Sequence, residues 1–404
     1  MAVHPGPRGE RSAASAAGPS AGERASELTI VAHDIGPVGG MERVLSELII
    51  GLRERGHEVT VIARTCELPA AAAGVRFHRV RGPARPFMLA YPWFLLAGSW
   101  AVLRHARGIL QVTGGLVLVP ADVVSVHYCH QVGPASPSRG GPLYRANISL
   151  VRVAKRVSER VCFYINRKAT FVCVSEGVAD EVRRHYPRLA GRVMTIHNGV
   201  DTERFRPGRL REEAAALRER LGLAAEEPVA LFVGGEWERK GLRLVIEALA
   251  GAPEWALVVA GDGDRARYEG LARSLRVAER VRWLGVQRDV APLYELADAF
   301  VMPTSYETFS LVTFEAAAAG LPLLATPVSG INELLQDGRN GFLVERSGES
   351  IAARLRLLAA DSARTAELGA AAREAAMRFS WGRTVERHHK LYRRLAGELG
   401  VPSD

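Results

Sequence analysis

The stretch LTIVAHDIGPVGGMERVLSELIIGLRERGHEVTVIA, residues 28–63, decides the fold class. It opens with a short apolar run, Leu28–Asp34, that reads as a buried strand. A glycine-bearing turn follows. Val44, Leu45, Leu48, Ile49 and Leu52 then recur at the helical period until Gly56 closes the helix. HEVTVIA supplies the next strand. Strand, turn, helix, strand is a βαβ unit, and its right-handed crossover makes the two strands parallel.

The same grammar returns after residue 227. PVALFVGG is a strand ending in glycines, GLRLVIEALA a helix, and WALVVAGDGD a strand and turn, followed by a helix near 265–276 and the strand VRWLG. A chain of 404 residues is too long for one ordinary core. Two doubly wound α/β halves are therefore expected, joined near NGVDTERFRPG, where turn residues and Pro207 break the pattern. The expected division is a disordered tail over 1–26, Rossmann-like domains over 27–205 and 206–380, and a terminal helical segment over 381–404. In open sheets of this kind ligands bind beyond the carboxyl ends of the strands, so two facing domains place a cleft between them.

Composition narrows the function. The chain is 48% hydrophobic and 24% charged, as a globular protein should be. Its four cysteines form no C-x-x-C pair, which suits a reducing cytosol. Residues 1–26 are rich in Gly, Ala, Ser and Pro without an apolar core, so they do not read as a signal peptide. Charge is uneven. Residues 1–200 hold 25 Lys and Arg against 14 Asp and Glu, whereas the remainder holds 28 against 30. A basic N-terminal half points to an anionic partner, but no recognition motif or aromatic-basic interleaving supports nucleic acid. The uncharged run Phe87–Leu103 would make a helix of roughly 25 Å, too short for the bilayer core and interrupted by Pro92. A buried or interfacial helix is expected there.

Four constellations carry chemistry. In TSYETFSLVTFEAAAAGLPLLAT, residues 304–326, a helix should begin at Thr308–Ser310 and stop at Gly320. Its free N–H groups and positive dipole end form a natural phosphate site. Glu307 sits just ahead of that end, and Glu315 leans back toward it from inside the helix. Both carboxylates converge on whatever anion the helix holds, where they can accept hydrogen bonds from sugar or ribose hydroxyls. The plain alternative is a capping glutamate and a half-exposed one.

In GGEWERKG, residues 234–241, two glycines end a strand, and Arg239 and Lys240 sit where two cations suit a diphosphate. It is neither a P-loop nor G-x-G-x-x-G, and alone such an exposed pair is usually just a solvated turn. VVSVHYCHQ delivers His127 and His130 to a strand end, as site wall or as structure, without the third ligand run of a zinc site. Gly39 and Gly40 let backbone approach a ligand closely, or simply make a tight turn. Asp262 and Asp264 imitate a metal-binding pair but read as a turn and helix cap.

These pieces, in this order, resemble the retaining glycosyltransferases of family four, which have the two-domain GT-B fold. The resemblance runs from about residue 28 to 395 through GGMERV, GHEVTVIA, VSEGVADEV, NGVDTERFRP, RKGL, VVAGDGD, the two glutamates, AAAGLPLLAT, GINELLQDGRNGFLV and a terminal W…LY. It implies a nucleotide-sugar donor held mainly by the C-terminal domain, with no cofactor and no divalent metal. Glu307 would meet the sugar hydroxyls and Glu315 the ribose diol. Arg239 and Lys240 would hold the diphosphate, helped by the amides around Phe309, Ser310 and Leu311 and by the Gly39–Gly40 loop. His130 best matches the family's strand-end histidine, with His127 the alternate. Two positions depart from the pattern. Gly235 or Glu236 stands where a strand-end arginine is common, and E-G-F-G appears as Glu307-Thr308-Phe309-Ser310.

The expected activity is retaining hexosyl transfer from a UDP- or GDP-linked donor to a lipid-linked or cell-envelope glycan at the cytoplasmic membrane face. A sugar phosphorylase or epimerase of the same fold, or a non-catalytic binding protein, is the competing expectation. The segment Tyr144–Lys168 carries seven basic residues against Glu159 alone, with valines interleaved at helical spacing. Such a helix can lie on an anionic bilayer, or it can pack its apolar side into the core and leave the arginines solvated.

Overall fold

The computed structural model describes residues 26–37, 39–83, 87–132 and 142–398. The tail expected over 1–26 lies outside the described residues apart from Ser26. Two parallel sheets face each other. The first has seven strands in the order Arg76–Arg79, Glu58–Ala63, Glu27–Val31, Ile109–Thr113, Val123–Val126, Thr170–Cys173 and Val193–Thr195. Leu28 pairs with Val59 and Val31 with Ile62, the register that the βαβ reading requires. The helix between them, Gly40–Glu54, buries Val44, Leu45, Leu48, Ile49 and Leu52 against the sheet.

The second sheet has six strands in the order Val281–Gly285, Ala256–Ala260, Val229–Val233, Ala299–Met302, Leu323–Ala325 and Gly341–Leu343. Every residue of Val229–Val233 is buried, as expected of a central strand covered on both faces.

Strand order locates the ligand crevices. From Val229–Val233 the chain builds outward on one side through Ala256–Ala260 and Val281–Gly285. It then returns to the other side at Ala299–Met302. The loops leaving Val233 and Met302 thus diverge at a topological switch point, where such sheets bind ligands. The first sheet has the same reversal between Glu27–Val31 and Ile109–Thr113.

The chain ends by crossing back. Val200 donates to Phe379 O at 2.8 Å beside the turn into helix Trp381–Glu398. That helix packs on Gly40–Glu54. Tyr392 donates to Gln111 Oε1 at 2.6 Å, and His57 Nε2 meets His389 Nδ1 at 2.8 Å. Burial and the neighbouring His389 lower the His57 pKa to about 4. Buried polar groups paired this way fix the helix in one position, because an unpaired one costs about 1–3 kcal/mol.

Candidate active site

The strand Val229–Val233 ends at Gly234, whose φ of 141° suits glycine, and a Cβ there would stand 2.8 Å from the Lys240 stem. Gly235 follows, its open side facing Asp262 O. Glu236 takes φ 49°, a left-handed conformation uncommon outside glycine. The chain then makes one helical turn, Trp237–Lys240, and Gly241 leaves it at φ 82° directly against Pro303 O. This close approach welds the turn to the loop after Met302. Ser305 N donates to Arg239 O at 2.9 Å.

The weld brings three predicted residues together. Arg239 Nη1 and Lys240 Nζ each lie 3.0 Å from Glu307 Oε1, and Thr304 Oγ1 lies 3.4 Å from the same oxygen. Arg239 also bonds Glu236 Oε2 at 2.8 Å and Tyr306 O. The side chains of Glu307, Arg239 and Lys240 are only 11%, 20% and 12% exposed, so the pairing is shielded while remaining reachable from the cleft.

Helix Leu311–Ala318 starts four residues beyond Glu307. Its N-cap is Ser310, not Thr308, held at φ 67° with no side-chain cap bond. The Ser310 hydroxyl instead meets Thr313 Oγ1 at 2.8 Å, so the amide end of the helix is left without a side-chain cap. Phe309 is anchored beneath by stacking on Phe314 with ring centroids 4.0 Å apart.

Glu315 is buried, and its partners come from both domains. Tyr294 donates to Oε2 at 2.9 Å, and Arg43 of helix Gly40–Glu54 forms an ion pair with Oε1. Burial and then the Glu315 charge raise the Tyr294 pKa well above the ordinary phenol value, so Tyr294 remains a neutral donor. The Arg43 contact places Gly39 (φ 95°) and Gly40 at the mouth of the cleft, one turn away along the same helix. No local signal marked Arg43 in the sequence, since its partner lies 272 residues away.

His130 and His127 separate. His130 sits in a loop that Glu159 and Arg156 hold through its backbone, at 2.8 and 3.1 Å. Its ring lies beside Tyr128, which meets Tyr306 edge-on across the cleft at 5.6 Å. Burial, then Lys155, lowers the His130 pKa to about 4, which leaves the ring neutral at physiological pH. His127 is half-buried and lines a small cavity with Ser125, Asn198, Trp381 and His388, where its Nε2 meets Ser125 Oγ at 3.1 Å.

Glu181, on helix Glu176–His185, faces the same gap and accepts from Tyr306 OH at 3.3 Å. Burial raises its pKa to about 7. Its position within VSEGVADEV gave no sign of this. Asp264 accepts from Arg267 N at 3.2 Å as a helix cap.

Comparisons with known proteins agree with this architecture. Residues 38–204 match Glycosyltransferase Family 4, and residues 213–375 match Glycosyl transferases group 1. The D-inositol 3-phosphate glycosyltransferase 2 of Catenulispora acidiphila is 32% identical over 90% of this chain and 92% of its own. Among solved structures, the lipopolysaccharide-biosynthesis glycosyltransferase WaaG superposes with a TM-score of 0.75 at 23% identity, covering 90% of this chain and 99% of that one. Anabaena HepE in complex with UDP-glucose gives 0.67 at 20% identity over 92% and 100%. Two facing parallel-sheet domains and a full-length relative together establish that the chain belongs to the family-4 glycosyltransferases of GT-B fold.

Proposed function

We propose that the enzyme transfers a hexose-type sugar, with retention of anomeric configuration, from a UDP- or GDP-linked donor to a lipid-linked or cell-envelope glycan. The observation that carries this reading is the cluster of Arg239, Lys240 and Glu307 at the switch point, beside the amide end of Leu311–Ala318. Arg239 and Lys240 hold the diphosphate and stabilise the charge that grows on it as the glycosidic bond breaks, so the reaction runs without a divalent metal. The amides of Phe309, Ser310 and Leu311, with the loops at Gly39–Gly40 and Gly235, approach the same phosphates. Glu307 accepts from the sugar hydroxyls, and Glu315 from the ribose diol in exchange for Arg43. Neutral His130 lines the sugar side.

The reaction takes place at the cytoplasmic face of the membrane. The name of the Catenulispora relative adds a phosphorylated polyol to the acceptors worth testing. Thermal unfolding against a panel of nucleotide sugars should pick out one donor by a raised Tm, because a ligand of the native state stabilises only that state. Release of its nucleoside diphosphate should then need an acceptor and persist in chelator. No stabilisation by any nucleotide sugar would contradict the reading.

A further inference from the structure

Two neighbouring helices of the N-terminal domain turn apolar stripes outward. Helix Phe87–His105 exposes Leu89, Trp93, Leu96, Trp100 and Leu103, spaced four, three, four and three residues apart and therefore on one face. Helix Pro142–Ile165 exposes Leu150, Val153, Val157, Val161 and Tyr164. All ten are 44–74% exposed. The first helix buries Ala90, Tyr91, Phe94 and Val102 behind its stripe, whereas the second buries Glu159 beside Cys162 and Phe163 and leaves Val153, Val157 and Val161 outside. Of Ile148, Val151, Val153, Val157, Val161 and Phe163, the apolar residues interleaved with the basic ones, only Phe163 is buried, and Ile148 lies outside the described side chains. The reading in which this helix packs its apolar side inward is overturned.

The stripes belong to one surface. Tyr91 on the first helix donates to Ser158 Oγ on the second at 3.1 Å. The segment between them is clamped from both sides: Leu118 N donates to Ser99 Oγ at 2.8 Å, and Cys162 Sγ meets Val117 O at 3.4 Å. Leu118 is itself exposed. An apolar face this long rarely stays open to water.

The charge around it selects the partner. Residues 87–105 contain no acid and residues 142–165 contain only the buried Glu159. Exposed basic side chains flank the stripes. Arg104 lies over the Trp100 ring at 4.8 Å and Arg167 over Tyr164 at 5.2 Å, with Arg160 and Lys168 nearby. A second copy docked face to face would set these arginines against each other. Tryptophans beside arginines suit a lipid headgroup boundary, where the aromatic body meets acyl chains and the cation meets phosphate. Among the described residues no helix is long and apolar enough to cross a membrane, so the contact lies in the plane of the surface.

We propose that this face docks the enzyme on an anionic lipid bilayer through both helices together. The proposal deepens the reading of a membrane-borne acceptor, and its biological purpose rests on that reading. The geometry adds a reason. The turn that exposes Val157 also carries Glu159 and Arg156, which hold the His130 loop. An acceptor headgroup at the docked surface is therefore delivered beside the cleft.

The test is co-sedimentation of the full chain with vesicles of pure phosphatidylglycerol and of pure phosphatidylcholine. The protein should pellet with the first, remain free of the second, and be released by salt. Its tryptophan emission should shift to the blue on binding. Replacing Arg104, Arg160 and Arg167 by Gln should lower the partition about a hundredfold, at about fivefold per basic side chain. A Leu96→Ser, Leu103→Ser, Val157→Ser variant should lower it at least about tenfold. Both variants should keep wild-type affinity for nucleoside diphosphate, which shows that they fold. Protein left in the supernatant with phosphatidylglycerol at low salt overturns the docking face, as does binding that neither variant weakens. A concentration-dependent dimer that the serine variant abolishes assigns the face to a second copy and overturns it too. If nucleotide binding persists in any of these cases, the glycosyl-transfer reading survives separately.

Discussion

Glu315 is the residue whose surroundings say most about how the enzyme works. A buried carboxylate is tolerable because Arg43 and Tyr294 both bind it, and Arg43 reaches it from the other domain. In the proposed function a ribose diol takes the place of Arg43. Arg43→Ala removes that competitor, so nucleoside diphosphate should bind about fivefold more tightly, the scale of a partly exposed ion pair. Calorimetric titration reads this directly, and weaker binding would mean that Arg43 helps the nucleotide rather than standing in for it. Lys240 should behave differently. Charge builds on the diphosphate in the transition state, so Lys240→Ala should lower kcat about 10²-fold while changing nucleoside diphosphate affinity far less. Equal losses in steady-state and binding measurements would contradict its electrostatic role. The Lys240–Glu307 contact follows from reading two strand ends side by side. The Arg43–Glu315 contact does not, since nothing local in either segment refers to the other.

At the scale of elements, the start of helix Leu311–Ala318 is strained. Ser310 occupies φ 67°, where the resembling motif carries glycine, and spends its hydroxyl on Thr313 rather than on the helix amides. Replacing it separates two effects. Ser310→Ala keeps the left-handed strain and loses the hydroxyl contact, whereas Ser310→Gly loses the contact and relieves the strain. The glycine variant should be more stable than the alanine variant by about 1–2 kcal/mol in chemical denaturation. Alanine equal to or above glycine would show that the backbone there is unstrained. Helices and strands themselves were legible in residues 28–63 and 228–285, because buried parallel strands and amphipathic helices write their periods into the sequence. Orientation was not. The spacing of Val153, Val157 and Val161 shows that an apolar face exists, but only packing shows that it points to solvent. Likewise the three-residue interval between His127 and His130 does not say that one ring meets Ser125 and the other lies beside Tyr128.

At the scale of the whole molecule, stability depends on buried groups whose protonation matters. His33, His57, His127, His130 and His388 all have pKa values lowered from 6.5 to about 4, each chiefly by burial. A lowered histidine contributes stability that is complete above pH 6.5 and lost as pH falls through 4. Glu181 runs the other way: with its pKa raised to about 7 by burial, its contribution is complete near pH 4.5 and lost as pH rises through 7. Glu159 and Asp298 are raised by burial too, but five histidines outweigh these three carboxyls, so Tm should climb between pH 4 and 6.5, and Glu181→Gln should steepen the climb. A flat profile would mean that the histidines are not held neutral in the fold. The account stands or falls on the cleft between the domains. Its most direct test is calorimetric titration of UDP and of GDP into the wild-type enzyme and Glu315→Ala, with unfolding curves to confirm that the variant folds. The preferred nucleotide should lose about 1.5–3 kcal/mol of binding free energy, the worth of hydrogen bonds to a charged acceptor; undiminished affinity in a folded variant would contradict the placement of the ribose at Glu315.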